Sequence, residues 1–236
     1  MLWISLICLL GLLGYMVWCC RETRLVSSLS LASDGVALIP DCAPDKQSDQ
    51  ERVLSSLPAG YQFLDYRYSI TGCSLSTFHR DVTSSGYEFQ TRHPVYTLIC
   101  YGSEGSQLAV VPGSHSTVPF VWRAPCVIQA TEPTAVLFDC DILHAGVISR
   151  DNERIAVQYK IAHADDIPRL AELQGIDVDK TESNSVPLVY EWLSRKLSLL
   201  FPFLINHVFT RYLQRQDSSL LNRVLLAVFG RSFYNR

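Results

Sequence analysis

The sequence lacks a strong charge of either sign and several motifs that mark common enzyme classes. Its formal net charge is −3, which gives no broad electrostatic basis for binding nucleic acid. No serine lies in a G-x-S-x-G motif, so an α/β-hydrolase is not supported. His79-Arg80-Asp81 matches the start of a protein-kinase catalytic loop, but Gly86 stands where that loop needs asparagine. Because a D-F-G motif and a Gly-rich loop are also absent, we dismiss the kinase interpretation.

The cysteines lack the spacing of a metal-binding or disulfide framework. The sequence contains 8 cysteines, and no two of them form a C-x-x-C pair. We therefore expect neither a zinc ribbon nor a disulfide scaffold. The simplest interpretation is that the cysteines are reduced and behave as small buried hydrophobic residues. This interpretation favours a reducing compartment.

The first 20 residues contain almost no polar side chain. Residues 2–18 form an apolar run without charge, which is long enough to cross a bilayer. A cleaved signal peptide normally has a basic stretch before such a run and small residues at the cleavage site, and the sequence has neither. The pattern therefore predicts an uncleaved transmembrane anchor over residues 1–20.

The residues after this run indicate how the anchor would be oriented. Arg21 and Arg24 exceed Glu22 by one charge, which favours a cytoplasmic position for the rest of the chain. Cys19 and Cys20 would lie next to the membrane. They could be S-palmitoylated or remain unmodified thiols, and the sequence leaves both open.

A short predicted strand, residues 76–82, carries the most informative pair of side chains. Residues two apart on a strand point to the same face, so His79 and Asp81 project together. An imidazole beside a carboxylate makes up two thirds of the 2-His-1-carboxylate triad that holds non-heme Fe(II). His144, which follows an apolar strand, is the best candidate for the third ligand.

The order of these residues, with Arg154 ten positions after His144, resembles the Fe(II)- and 2-oxoglutarate-dependent oxygenases. The loop at 109–115 (AVVPGSH) and the strand-like segment at 95–101 resemble the phytanoyl-CoA dioxygenase family in particular. The resemblance covers residues 34–161. It implies a double-stranded β-helix (jelly roll) that uses Fe(II), 2-oxoglutarate and O2.

The same resemblance implies a binding site for 2-oxoglutarate. Arg154 would bind the distal carboxylate, because a guanidinium pairs with a carboxylate through two hydrogen bonds and stays charged when buried. Gln158 shares a strand face with Arg154 and is a further candidate for the pocket. Tyr96 or Thr97 would give a hydroxyl to the same carboxylate. Alternation puts these two on opposite faces, so only one can do so.

The remaining histidines have simpler interpretations. His115 competes for the third ligand position, but it lies in the Pro-Gly-Ser loop that the family uses structurally. His93 precedes a proline and is expected at the surface. His163 and His207 have no partner in the sequence and are interpreted as structural or solvated.

Many short strands at close spacing predict a mainly β fold, and the resemblance makes this a jelly roll with flanking helices. We expect a linker over 21–33 and the β domain over 34–164. A helix is predicted over 45–57, and hairpin turns over 102–106 and 150–153. Further strands are expected at 34–40, 61–68, 120–122, 126–130 and 135–138.

The chain changes character after residue 164. Residues 165–186 are acidic and loop-like, whereas 188–212 and 220–233 are apolar, helical and edged with basic residues. These helices would either lie on a membrane surface as a basic amphipathic tail or pack on the outside of the β core. The sequence leaves these two alternatives open.

Together these features predict a membrane-anchored 2-oxoglutarate-dependent dioxygenase that hydroxylates its substrate and releases succinate and CO2. The presence of Asp81 favours hydroxylation, because related halogenases lack the carboxylate. A lipid-like or membrane-embedded substrate is compatible with the anchor. Two alternatives are a catalytically silent jelly-roll binding or scaffold protein and a protein (prolyl-type) hydroxylase. The latter enzymes usually have lysine where Arg154 stands.

Overall fold

A computed structural model describes residues 2–19, 21–24, 29–42, 47–72, 76–81, 83, 89–102, 104–117, 123–130, 134–149, 153–182 and 187–200. The helices are α1 (Leu2–Cys19), α2 (Leu31–Asp34), α3 (Gln47–Ser55) and α4 (Leu188–Leu200), with 3₁₀ helices at Ser114–Ser116 and Ala164–Leu173. The strands are β1 (Thr23–Arg24), β2 (Val36–Ile39), β3 (Tyr61–Gly72), β4 (Tyr96–Tyr101), β5 (Gly105–Val110), β6 (Cys126–Ala130), β7 (Ala135–Asp139), β8 (His144–Gly146), β9 (Ile155–His163) and β10 (Ile176–Glu182).

The strands form two sheets. A six-stranded sheet has the order β10-β3-β9-β4-β7-β2, and a four-stranded sheet has the order β1-β6-β5-β8. One apolar cluster draws buried side chains from both sheets, such as Val110 and Ile128 from the smaller and Val136 and Phe138 from the larger. The sheets therefore face each other across a shared core, as in a β-sandwich.

The pairing of the strands is nested along the chain. The outermost pair is β3 with β9, the next is the bridge between His79 and His144, then come β4 with β7 and finally β5 with β6. All four pairings are antiparallel, and the chain passes from one sheet to the other between them. This is the winding of a jelly roll, so the fold is mainly β with flanking helices. The nesting also brings residues 79 and 144 together across 65 positions of sequence.

Helices cover the outer faces of the two sheets. Val53 and Leu57, from α3 and the turn after it, belong to a cluster with Leu98 and Leu137 on the outside of the larger sheet. Leu199 of α4 belongs to a cluster with Phe78, Ala109 and Ala145 on the outside of the smaller sheet. The described part of the predicted C-terminal helices thus packs on the β core.

Several local predictions from the sequence are corrected. Residues 102–106 and 150–153 were expected to close hairpins, but β4 and β9 lie in the larger sheet and β5 and β8 in the smaller. Each turn instead carries the chain across the sandwich, which a turn motif alone does not reveal. Of the strand predicted at 76–82, the described residues 76–81 do not form a strand, because an isolated bridge at His79 is their one ladder contact with β8.

The loop expected over residues 165–186 is also corrected. This segment contains a 3₁₀ helix and the strand β10, which pairs in parallel with β3 from Ile176 to Glu182. The predicted strand at 120–122, the helix at 220–233 and residues 84–88 of the predicted loop at 83–93 lie outside the described residues.

The N-terminal apolar run forms the helix α1, as its composition suggests. Across the described part of the chain, however, no helix has the combination of length and apolar character needed for a membrane crossing. The transmembrane span predicted for residues 1–20 is therefore not supported.

Candidate metal and co-substrate site

His79, Asp81 and His144 lie together inside the jelly roll. One potential ligand atom from each lies within 4.8 Å of those of the other two, and all three residues are buried. The imidazole rings of His79 and His144 are 4.4 Å apart between centroids. His144 Nε2 lies 3.6 Å from Asp81 Oδ1. The bridge between residues 79 and 144 places the two histidines side by side.

Backbone carbonyls fix the orientation of both imidazoles. Nδ1 of His79 lies 2.9 Å from the carbonyl oxygen of Thr77, and Nδ1 of His144 lies 3.1 Å from that of Ile142. A carbonyl can only accept, so each Nδ1 carries the proton and each Nε2 is the unprotonated nitrogen, whose lone pair can bind a metal ion. Burial lowers the pKa of both histidines, and that of His144 falls to about 3. Both rings are therefore neutral, which is the form that binds metal ions.

The carboxylate of Asp81 has a second set of contacts that the sequence did not predict. Lys160 Nζ lies 2.6 Å from Asp81 Oδ2, and the hydroxyl of Thr97 donates to the same oxygen at 2.6 Å. Burial alone would raise the pKa of Asp81, but the charge of the Lys160 ammonium and its hydrogen bond to the carboxylate lower it overall. Asp81 is therefore anionic, and its Oδ1 faces the histidines. Lys160 shares a strand face with Arg154 and Gln158. This alternation is the feature of the sequence from which its inward direction could have been predicted.

This donor set fits a divalent cation. Two neutral imidazole nitrogens and one carboxylate oxygen converge, as in the facial triad that holds non-heme Fe(II). The histidines have their outer nitrogens bonded to carbonyls, which is the usual second layer of support around a metal site.

Arg154 lies 3% exposed at the start of β9. Its Nε and Nη2 donate to the side-chain and backbone oxygens of Gln107 at 2.6 and 2.9 Å. Its guanidinium also lies 5.2 Å from the ring centroid of Tyr101. Nη1, however, is buried and has no hydrogen-bond partner among the residues that the structure describes. A buried, unpaired N–H on a cation is costly, so the position is suited to an anionic ligand such as a carboxylate.

The structure separates the two residues that were alternatives beside Arg154. Thr97 faces inward, but its hydroxyl donates to Asp81. Tyr96 faces the other side of β4, where its ring packs 5.3 Å from that of Tyr61. Tyr96 therefore lies away from the site, which corrects its place among the candidates. Gln158 is half-buried on β9, between Arg154 and Lys160 in the strand alternation.

The other described histidines lie outside this cluster. His115 packs so closely against Gly35 that an added Cβ would collide with the imidazole Nδ1, so this contact needs glycine. His93, His163 and Asp165 form a second group of potential ligands. The His93 and His163 rings are stacked, 3.9 Å apart and 27° from parallel. Stacked rings cannot aim in-plane lone pairs at one ion, so this group is not arranged for metal binding.

Helix α4 holds the two ligand-bearing segments from behind. Arg195 is buried and donates to the carbonyls of Ser76 and Gly146, both at 2.6 Å. The Phe78 amide donates to Ser198 at 2.8 Å. Arg195 also pairs with Glu22, just beyond α1. One buried arginine thus links the segments that carry His79 and His144, whereas the sequence pattern indicates only a basic residue at the edge of an apolar helix.

Comparisons with known proteins give structural similarity alone. No family model matches the chain, and no curated protein matches it in sequence. Among solved structures, it aligns with HygX from Streptomyces hygroscopicus with nickel and 2-oxoglutarate bound (11% identity, 56% of this chain, 84% of that chain, TM-score 0.37). It also aligns with the non-heme alpha ketoglutarate dependent epimerase SnoN from nogalamycin biosynthesis (14%, 67%, 92%, 0.44).

A third match is EctD from S. alaskensis with bound Fe (13% identity, 63% of this chain, 82% of that chain, TM-score 0.40). The chain spans 31% of the length of EvdMO1, with which it also aligns. Similarity at this level does not identify a family. The chemistry of the site follows from its own side chains.

Proposed function

We propose that this protein is an Fe(II)- and 2-oxoglutarate-dependent oxygenase that hydroxylates its substrate with release of succinate and CO2. The observation that carries the proposal is the convergence of His79, Asp81 and His144 within one jelly roll that also holds a buried, incompletely paired Arg154. In combination they supply a ligand set for a metal ion and a cationic partner for a dicarboxylic co-substrate.

The residues of the chain would have separate roles. His79 Nε2, His144 Nε2 and an oxygen of Asp81 would hold the ion, because these atoms already face one another. Arg154 would bind the distal carboxylate of 2-oxoglutarate through Nη1, while Gln107 and Tyr101 keep the guanidinium in place. Bound Fe(II), with 2-oxoglutarate and O2, supplies the oxidising power for attack on an unactivated C–H bond. The buried position of the triad keeps bulk water away from this chemistry.

The experiment that tests the proposal measures metal binding and succinate formation in the same samples. The wild-type chain should bind one divalent ion and form succinate from 2-oxoglutarate in the presence of Fe(II) and O2. His79→Ala and His144→Ala should lose both properties. His115→Gln is the matched control, since His115 lies outside the triad, and it should retain both. Absence of metal binding by the wild type would refute the proposal.

A second candidate function is a catalytically silent jelly-roll scaffold. The observation that favours it is Lys160, which already neutralises Asp81 without a metal ion. Under this alternative the wild type would form no succinate, and Asp81→Asn would behave in the same way. Arg154 occupies the position at which prolyl-type hydroxylases usually carry lysine, so we do not extend the proposal to them.

We also propose that α1 and α4 contact a membrane surface, with the β domain on the cytoplasmic side, and that the substrate is lipid-like. The two helices contact each other, and both expose large apolar side chains, namely Trp3, Ile4, Ile7 and Leu10 from α1 and Leu188, Val189 and Trp192 from α4. Exposed apolar surface of this extent favours an apolar partner.

Flotation of the full chain with phosphatidylcholine vesicles tests the membrane proposal. Ile7→Asp/Leu10→Asp in α1 should reduce the floated fraction, because each carboxylate must leave water to enter the lipid. The control is Glu104→Gln, an exposed substitution on the β domain. Equal flotation of wild type and the α1 variant would contradict the proposal.

A further inference from the structure

The unexplained feature of the site is a fully buried lysine in contact with a predicted metal ligand. Lys160 is 0% exposed, and lysine is among the residues least often buried. Its Nζ has three oxygen neighbours: Asp81 Oδ2 at 2.6 Å, the Thr97 hydroxyl at 2.8 Å and the Thr83 hydroxyl at 3.4 Å. An ammonium has three protons to donate, so this set can satisfy it completely.

The contacts on Asp81 are divided between its two oxygens. Oδ2 accepts from both Lys160 and Thr97. Oδ1 faces the triad, 3.6 Å from His144 Nε2. Two donors at 2.6 Å occupy the lone pairs of Oδ2, which leaves Oδ1 as the oxygen available to a cation.

We infer that Lys160 and Thr97 are positioning residues that restrict Asp81 to binding the metal ion through Oδ1 alone. The inference rests on the proposed metal site and deepens it. Both residues lie on neighbouring strands of the larger sheet, where Thr97 and Lys160 are register partners of β4 and β9. A carboxylate held from rigid strands cannot easily rotate to present both oxygens.

The restriction matters because the ion has a limited number of positions. An octahedral ion has about six, so three single-atom protein ligands leave three. The chelating co-substrate needs two of these and O2 needs the third. If Asp81 bound through both oxygens, only two positions would remain. Lys160 would therefore act on the number of open positions without touching the ion.

The experiment uses Mn²⁺ alone and counts its bound waters from line broadening in the electron paramagnetic resonance spectrum in ¹⁷O-labelled water. Wild type should show about three waters, in keeping with octahedral coordination. Lys160→Met/Thr97→Val should show one fewer, because Oδ2 then loses both of its donors. Lys160→Met should show the same loss, because the neutral Thr97 hydroxyl that remains is a weaker donor than the ammonium. Thr83→Val is the matched control, because Thr83 contacts Lys160 and, within the described part of the chain, forms no hydrogen bond with Asp81. It should match the wild type.

A second readout is the affinity of the Mn²⁺-loaded protein for 2-oxoglutarate. Lys160→Met should weaken it by about tenfold, which is the usual scale for a residue that orients a metal ligand. Unchanged water counts in both Lys160 variants would overturn the inference while leaving the metal site intact. Failure of wild type to bind Mn²⁺ would overturn the proposed function as well. If Lys160→Met does not fold, the wild type still decides, because two waters there would mean that Oδ2 also binds.

Discussion

Two buried cations on the same strand face differ in how completely they are paired. Lys160 and Arg154 both point inward from the β9 region, and they are 0% and 3% exposed. Lys160 has a carboxylate and two hydroxyls around it. Arg154 has Gln107 on two of its nitrogens but no partner for Nη1 among the described residues.

This difference separates a positioning group from a binding group. A buried polar atom without a partner carries a desolvation cost, and folded proteins keep few such atoms. Where such an unpaired N–H group lies on a buried cation, the simplest explanation is a ligand that accepts its hydrogen bond. A buried cation whose N–H groups all have acceptors has no donor left for a ligand, and its role is to hold its neighbours in place. Lys160 thus belongs to the framework of the site, and Arg154 belongs to its binding surface.

The largest expected effect comes from breaking the ion pair between Asp81 and Lys160. Asp81→Ala leaves the Lys160 ammonium buried without its anion, which should lower the free energy of unfolding by about 3–5 kcal/mol. Asp81→Ala/Lys160→Met removes both charges and should recover most of this loss. Urea denaturation of the metal-free protein measures the difference. Equal stabilities of the single and double variants would show that the pair does not carry this energy.

Arg154→Lys tests the role of the Arg154 guanidinium while the positive charge at this position is kept. Lysine keeps the positive charge but loses the planar fork that binds a carboxylate and also contacts Gln107. We expect the KM for 2-oxoglutarate to rise by about 10- to 100-fold, which corresponds to one or two charge-assisted hydrogen bonds. Metal affinity should not change. Arg123→Lys, at an exposed ion pair with Asp34, is the control, and an equal effect there would refute the assignment.

The pH dependence of the free energy of unfolding should show the contribution of the Asp81–Lys160 ion pair. The pKa of Asp81 is lowered, so its contribution is present above the unfolded pKa of about 3.9 and is lost as the pH falls through it. Although burial opposes it, the Asp81 carboxylate raises the pKa of Lys160 overall, so that contribution is present below about 10.4 and is lost at higher pH.

The difference in stability between the metal-free wild type and Asp81→Asn/Lys160→Met should therefore stay constant between about pH 4 and pH 10 and become smaller on both sides of this plateau. Thermal unfolding of the two proteins across this range provides the measurement. Parallel pH profiles outside the plateau would contradict the prediction.

The sequence predicts the site residues whose positions are set by local strand alternation. It does not predict those whose positions are set by contacts between distant parts of the chain. His79 and Asp81 were found from their two-residue spacing, and the pairing holds although the described residues 76–81 do not form a strand. Lys160 was missed because a single lysine in a strand is usually solvated. The partners from residues 81, 83 and 97 make its burial possible. Either Tyr96 or Thr97 was expected beside Arg154, but the register of β4 against β9 places Thr97 next to Lys160.

The sheet membership of each strand could not be read from turns. The turn at 102–106 has residues typical of a hairpin, yet its flanking strands belong to different sheets. A local turn sequence fixes the backbone over a few residues, whereas sheet membership depends on the nested pairing of the whole chain. For the same reason, nothing near residue 195 indicated that Arg195 would reach the backbone at Ser76 and Gly146.

The smallest expected effect comes from the residue that supports Arg154. Gln107→Met keeps the length of the side chain but removes the oxygen that accepts from Arg154 Nε at 2.6 Å. The backbone oxygen of Gln107 still accepts from Nη2, so the guanidinium keeps one anchor. We expect the loss of this hydrogen bond to cost about 1.5 kcal/mol at most. The affinity for 2-oxoglutarate should therefore fall by no more than about tenfold. Isothermal titration of the metal-loaded protein measures it. A larger loss than that of Arg154→Lys would mean that Gln107 itself contacts the co-substrate.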